Sequence, residues 1–221
     1  MGAGSMTHAE YRHSLKGRAC YAGLDLSSTK DLTALVGVFP DATGFDVLPE
    51  FFVPADHIPE RARRDRVPYD EWARQGLLNA TPGNSVDYEY VRQTVLGWAR
   101  LFDLKCLGVD PWNARGLITQ LGEQDGLTVV EIRQGFASLS GPAKALEMAI
   151  LSKRLRHNGH AVLRWCVGNV ALETDAAGNI KPSKAASTER IDGVAALVMA
   201  IDQMERNQHM ATPDYALSVI G

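Results

Sequence analysis

Residues 20–39 read CYAGLDLSSTKDLTALVGVF, and this stretch decides the fold. Apolar residues alternate with other residues in its first half, and a second apolar run covers 32–39. The two runs predict a β-hairpin around a short polar turn. The alternation places Asp25 on the same face of the first strand as Gly23. A carboxylate in mid-strand has no capping role, and its burial requires a partner, a proton or a metal ion.

The rest of the chain predicts strands that alternate with helices. A third antiparallel strand is expected at 45–53, where Pro49 favours a sheet edge or a bulge. Alternating strands and helices farther along the chain are typical of parallel βαβ units. We therefore predict an α/β fold, with a mixed β-sheet and helices on both faces. The remaining expected elements are helices at 69–75, 87–102, 114–124, 142–156 and 189–204, and strands at 104–110, 127–132 and 160–165.

Composition supports one folded domain. The 221 residues are 45% apolar and 22% charged, with a net charge of −3, which excludes a disordered chain and a DNA-coating polycation. Three scattered cysteines predict neither a disulfide framework nor a structural zinc site. No apolar run is long enough to span a membrane. We expect an expression scar and flexible segment at 1–16, the folded domain at 17–206 and a tail at 207–221.

Two further aspartates lie where a simple fold does not need them. Asp110 ends an apolar strand, and Asp192 lies in the first turn of the last helix. Each has a plainer explanation, because Asp110 could start a turn before Pro111 and Asp192 could interact with the helix dipole. If the Asp25 and Asp110 strands are parallel neighbours, the three carboxylates can meet. Such a cluster without His or Cys favours Mg²⁺ or Mn²⁺ over zinc. Two such ions can clamp a phosphodiester for hydrolysis, which points to a nucleic acid substrate.

Three segments carry a resemblance to a known family. They are GLDLSSTKDLTA at 23–34, GVDPWN at 108–113 and RIDGVAALVMA at 190–200. In this order and spacing they resemble the C-terminal nuclease domain of the large terminase subunit of tailed phages. The resemblance covers the chain from Gly17 to about Met204, so it assigns the predicted domain at 17–206 to a nuclease.

The resemblance implies a ribonuclease H-like fold and a metal-dependent endonuclease that cuts double-stranded, concatemeric viral DNA during genome packaging. It makes Asp25, Asp110 and Asp192 the metal-binding catalytic residues, with two Mg²⁺ or Mn²⁺ ions as cofactor. Asp31 matches an acidic position near the second metal, although a turn-capping role explains it equally well. The implied partners are an N-terminal ATPase domain, the small terminase subunit and the portal, with the host cytoplasm as location. The sequence itself contains no GxxxxGK[ST] phosphate loop.

Basic residues near the later elements are candidates for DNA contact. Lys153, Arg154 and Arg156 could line a groove and meet phosphates, or form an ordinary charged surface. Lys181 and Lys184 lie in a Gly/Ser/Lys-rich stretch before Asp192, and could hold the DNA backbone or belong to a plain connector.

Two other classes of function remain open from the sequence. The segment GLDLSS at 23–28 also resembles the first phosphate hairpin of actin-like and sugar-kinase-like phosphotransferases, which would bind ATP. The acidic cluster could instead be a degenerate remnant in a module that docks DNA or a portal-type partner without cutting.

Overall fold

A mixed β-sheet organises the computed structural model, which describes residues 6–27 and 32–211, apart from the side chains of 209–211. The strands are β1 Ala19–Asp25, β2 Thr33–Asp41, β3 Gly44–Pro54, β4 Asn79–Thr81, β5 Asp103–Val109, β6 Val129–Glu131, β7 Leu155–Arg156, β8 Leu172–Thr174 and β9 Ile180–Pro182. The strand order is β4-β3-β2-β1-β5-β6, and β7 pairs with β3 as well. A separate hairpin, β8–β9, precedes the last helix.

The strand pairing confirms the expected topology. β1 is central, pairs antiparallel with β2 and parallel with β5, and so has a neighbour on each side. β3 pairs antiparallel with β2. Pro49 lies between the residues of β3 that pair with β7 and those that pair with β4, so its missing N–H faces an open part of the sheet edge.

Helices cover both faces of the sheet, as expected. Helices α3, α6, α7 and α8 contribute to one apolar core, and α1, α4 and α5 contribute to the other. A short π-helical turn, Gln120–Gln124, follows α5. The helices are α1 His8–Ser14, α2 Ile58–Asp65, α3 Tyr69–Arg74, α4 Tyr88–Leu101, α5 Arg115–Thr119, α6 Phe136–Leu151, α7 Ala161–Asn169 and α8 Asp192–Ala211.

Two predicted elements are wrong in type or position. The helix expected at 142–156 is α6, which begins at Phe136 and holds Pro142 in its interior. The strand expected at 160–165 is helix α7, which begins after His160. The buried residues Val162, Leu163 and Cys166 have helical spacing. A short apolar run of this kind fits a strand and a helix equally well, so tertiary packing decides.

The N-terminal segment is ordered from helix α1 onward. Tyr11 and Leu15 are buried in the core, so the folded region begins before residue 17, in contrast to the flexible segment expected at 1–16. The Tyr11 hydroxyl donates to Asp46, which also binds the guanidinium groups of Arg18 and Arg156. These two arginines hold the pKa of Asp46 below its usual range, against the effect of partial burial. The hydrogen bond of Tyr11 to this ion-paired carboxylate attaches α1 to one end of the sheet.

All three cysteines are free and buried. Burial raises the pKa of Cys106 to about 11 and of Cys166 to about 12, and it raises the pKa of Cys20 well above its ordinary value. No disulfide joins these three cysteines in the structure. None of the helices that the structure describes combines the length and the apolar character that a membrane span requires.

The contact that positions the candidate site is between β1 and α8. A side chain at Gly23 would overlap the carbonyl oxygen of Ala196 and approach the amide nitrogen of Ala200 to 2.8 Å. Both partners are backbone atoms of α8, so they cannot rotate away. Only glycine at this position lets the helix lie directly on the strand.

We predict that Gly23→Ala destabilises the domain by about 3 kcal/mol, because overpacking here must displace α8. The midpoint of urea unfolding measures this change. Gly97→Ala is the matched control: Gly97 lies in helix α4 with open space around it, so the same substitution should be neutral or stabilising. A Gly23→Ala variant as stable as the wild type would contradict the close contact.

Candidate active site

Asp25 is the last residue of β1 and lies almost fully buried, with 2% exposure. It shares a strand face with Gly23, and that face packs against α8. The period of the strand therefore directs the Asp25 carboxylate toward the beginning of this helix.

Asp192 is the first residue of α8 and is 1% exposed. The next residue, Gly193, has no room for a side chain, since a Cβ atom would lie 2.7 Å from the ring of Phe51. The first turn of α8 is thus pressed against the sheet. The positive end of the helix dipole favours a negative charge at this position.

Asp110 follows β5 and lies beside Asp25 on the neighbouring parallel strand. Its backbone N–H donates to the carbonyl of Leu24 at 3.4 Å, one residue before Asp25. One carboxylate oxygen accepts a hydrogen bond from the N–H of Trp112. Asp110 therefore starts a turn, as its plainer explanation predicts. The same residue also lies beside Asp25. Asp110 is only half-buried, so it forms the solvent side of the cluster.

Lys184 contacts two of the three carboxylates. Its ammonium nitrogen lies 2.7 Å from Oδ2 of Asp25 and 2.9 Å from Oδ1 of Asp192. Both oxygens thus surround a single positive charge. The sequence predicted Lys184 as a DNA-binding residue, and its contact with the aspartates was missed. No local signal reveals such a contact, because it depends on where the loop before α8 places a long side chain.

Burial dominates the electrostatics of Asp25. It raises the pKa of Asp25 to about 7, and the negative charges of Asp192 and Asp110 act in the same direction, while the Lys184 ammonium opposes them. The two carboxylates raise the pKa of Lys184 against the effect of its own burial. One lysine therefore does not fully compensate the buried negative charge.

The cluster has the chemistry of a site for a hard divalent cation. Its donors are carboxylate oxygens, which suit Mg²⁺ and Mn²⁺, and two of them already surround the cationic nitrogen of Lys184. As they stand, no three His, Cys, Asp or Glu side chains among residues 6–27 and 32–211 come close enough to hold a metal ion together. The arrangement of the carboxylates fits a cation, and in this structure the Lys184 ammonium takes that place.

Among the other predicted site residues, those that the structure describes lie outside this cluster. Asp31 is outside the residues that the structure describes. Lys153 and Arg154 are exposed in the turn before β7, and Arg156 belongs to β7 and binds Asp41 and Asp46.

The position of β7 places the basic residues predicted to line a groove, 153–156, away from the aspartates. β7 pairs with Phe45 and Asp46 at the start of β3, whereas Asp25 is level with Phe51 near the end of that strand through their shared partner Ala34. The group 153–156 is therefore at the opposite end of the sheet from the aspartates. It does not border them.

Lys181 lies on the β8–β9 hairpin and forms an ion pair with Glu173 at 2.7 Å. It is close to Lys184 in sequence, yet its charge is compensated within the hairpin.

Trp112 is the most exposed of the four tryptophans, with 76% exposure. Trp72 and Trp98 are buried, and Trp165 is half-buried against Trp72. A large aromatic side chain exposed two residues after Asp110 offers a contact surface beside the aspartates.

Fold and site together define an α/β domain with a carboxylate cluster at the carboxyl ends of parallel strands. The sequence profile of the family described as "Terminase large subunit, endonuclease domain" matches residues 10–208. The chain belongs to this family.

The relatives agree with this assignment. The chain is 41% identical over 191 residues to the large terminase subunit of Enterobacteria phage HK97, covering 83% of this chain and 37% of that protein. It is 31% identical over 197 residues to protein YmfN of Escherichia coli K12, covering 84% of this chain and 43% of that protein. The chain therefore spans about two fifths of the length of these curated relatives.

Solved structures show the same fold. The crystal structure of the HK97 large terminase superposes with a TM-score of 0.78 at 37% identity, covering 90% of this chain and 43% of the other. The large terminase nuclease of thermophilic phage G20c, solved with bound magnesium, superposes with a TM-score of 0.55 at 11% identity, covering 85% and 84%. These comparisons confirm the predicted fold class, a ribonuclease H-like mixed sheet with helices on both faces.

We predict that Asp25→Asn stabilises the metal-free protein at pH 8. The pKa of Asp25 is about 7 in the folded state and lower in the unfolded state. Between these two values the folded protein therefore binds one more proton than the unfolded protein. Stability thus falls as pH rises through this window. Removing the charge should raise the free energy of unfolding by on the order of 2 kcal/mol at pH 8.

Urea unfolding in the presence of a chelator measures the effect at pH 8 and pH 5. At pH 5 the wild-type carboxyl is already largely protonated, so the advantage of the variant should shrink. An equal advantage at both pH values would exclude buried charge as its cause.

Proposed function

We propose that this domain is a metal-dependent endonuclease that cuts double-stranded DNA by hydrolysis of phosphodiester bonds. One observation carries the proposal: Asp25, Asp110 and Asp192 come from two parallel strands and a helix N-terminus and gather beside one another. Two of them are fully buried around a cation. Such concentrated, buried negative charge requires a positive partner.

Asp25, Asp110 and Asp192 would hold Mg²⁺ or Mn²⁺, and a two-ion site is the form that the carboxylate number favours. When bound, such ions supply a nucleophilic water at neutral pH and stabilise the leaving oxygen. The buried position of Asp25 and Asp192 fixes their carboxylates and excludes bulk water. The half-buried Asp110 leaves the outer side open to the DNA backbone.

The biological setting that we propose is the packaging of phage DNA. The substrate would be concatemeric viral DNA in the cytoplasm of the infected host. Because this chain spans about two fifths of its relatives, an ATPase domain would lie in the remainder of the full-length protein. The small terminase subunit and the portal would be its partners. Asp31 remains a proposed ligand near a second metal ion.

A nicking assay tests the proposed activity. Supercoiled plasmid is incubated with the protein and Mn²⁺, with and without chelator, and compared with Asp110→Asn. We expect Asp110→Asn to lower the cleavage rate at least 100-fold, because a ligand carboxylate becomes a neutral amide. Because Asp110 is only half-buried, this substitution should leave the fold intact.

Asp103→Asn is the matched control, since Asp103 lies at the other end of the same strand and pairs with Lys105 on the surface. It should cut like the wild type. ATP turnover without cleavage would favour the phosphotransferase, and DNA binding without either activity would favour the docking module. Chelator-resistant cleavage would contradict metal dependence.

DNA contact by Trp112 is a second expectation. In an Asp110→Asn background, which keeps the DNA uncut, a duplex oligonucleotide should quench the tryptophan fluorescence. Trp112→Phe should remove most of this quenching, because the other tryptophans are more buried. Trp112→Ala should weaken binding several-fold through the lost contact area. Trp72→Phe, on the buried side of α3, controls for changes in fluorescence alone. Unchanged quenching in Trp112→Phe would place the DNA elsewhere.

A further inference from the structure

The proposed chemistry does not explain the position of the Lys184 side chain. Its nitrogen lies within 3 Å of an oxygen of both buried aspartates. A divalent cation bound between Asp25 and Asp192 would draw on the same two carboxylates. The ammonium and a metal ion are therefore in competition, since two positive charges at such short range repel each other strongly.

The Lys184 side chain can move away from the two carboxylates without unfolding of the protein. Although its ammonium reaches buried carboxylates, the Lys184 side chain is 40% exposed. The stem therefore lies at the surface, and rotation about its own bonds moves the charge into solvent.

The backbone beside Lys184 is held in place. The N–H of Ser183 donates to the carbonyl of Ala171, the N–H of Ala171 donates to the hydroxyl of Ser187, and the N–H of Ser187 donates to the carbonyl of Ser183. This closed set of bonds fixes the turn to the chain that follows α7. Withdrawal therefore requires movement of the side chain only.

We propose that Lys184 is a resident counter-cation, which neutralises Asp25 and Asp192 in the metal-free protein and is displaced when a divalent ion binds. This inference rests on the proposed metal site. The lysine stabilises the empty site and lowers its affinity for metal. Metal binding in turn releases a positive side chain at the edge of the site, where DNA phosphates would lie.

Metal affinity of Lys184 variants tests the proposal. Mn²⁺ is titrated calorimetrically into the wild type and into Lys184→Gln, and melting temperatures are recorded with and without the ion. We expect Lys184→Gln to bind Mn²⁺ at least tenfold more tightly, and to melt lower than the wild type in chelator. The metal-induced increase in melting temperature should be correspondingly larger.

Two control variants separate competition from general charge effects. Lys181→Gln removes the same charge from the neighbouring hairpin, where the partner is Glu173, and should leave Mn²⁺ affinity within about twofold. Lys184→Arg keeps the positive charge and should bind Mn²⁺ no more tightly than the wild type. It also remains informative if Lys184→Gln fails to fold.

Amine labelling of the unmodified protein gives an independent measurement. A lysine held between two carboxylates is shielded from reagent, so Mg²⁺ should increase the labelling of Lys184 at the concentration that raises the melting temperature. Lys181, in the same region, should show no change.

The outcomes distinguish the two proposals. If the wild type binds Mn²⁺ but Lys184→Gln binds it equally or more weakly, or if labelling is unaffected, the counter-cation proposal is wrong and the metal site stands. If neither wild type nor Lys184→Gln binds Mn²⁺ at millimolar concentration, the metal site itself is wrong.

Discussion

The direct contact between helix α8 and the backbone of β1 at Gly23 is the constraint on which the site depends. A helix normally packs on a sheet through side chains of both partners. Here the strand offers only backbone, so the helix sits deeper. Gly193 allows a second close approach at the first turn of the helix, against the ring of Phe51. Because of these two glycines, the carboxylate at the start of the helix and the one at the end of the strand share a single cation.

The site concentrates negative charge, and burial of this charge is unfavourable for folding. Two fully buried carboxylates and a third beside them are unfavourable without compensation, and burial raises the pKa of Asp25 despite the Lys184 ammonium. The lysine limits the cost while the metal is absent. A domain of this kind gives up some stability for a prepared site, which is the usual relation between function and stability in enzymes.

The sequence predicted what depends on local periodicity. The alternation around Asp25, the strand ending at Asp110 and the helix beginning near Asp192 were enough to predict that Asp25 lies beside the other two, because strand and helix periods fix the face of each residue. Lys184 could not be assigned, since a long side chain reaches across space that only the tertiary structure defines. Arg156 shows the same limit, because its ionic partners lie more than 100 residues away in the chain. The helix at 161–169 was mistaken for a strand because its apolar run is too short to show a period.

The inert thiols of this protein have a practical consequence. Cys20, Cys106 and Cys166 are enclosed in the core, and their raised pKa values keep them in the unreactive thiol form at neutral pH. We therefore expect the native chain to react little with maleimide and spin-label reagents. A single cysteine placed on an exposed turn would carry a probe without any prior removal of native residues, which opens the molecule to distance measurements by resonance and fluorescence methods.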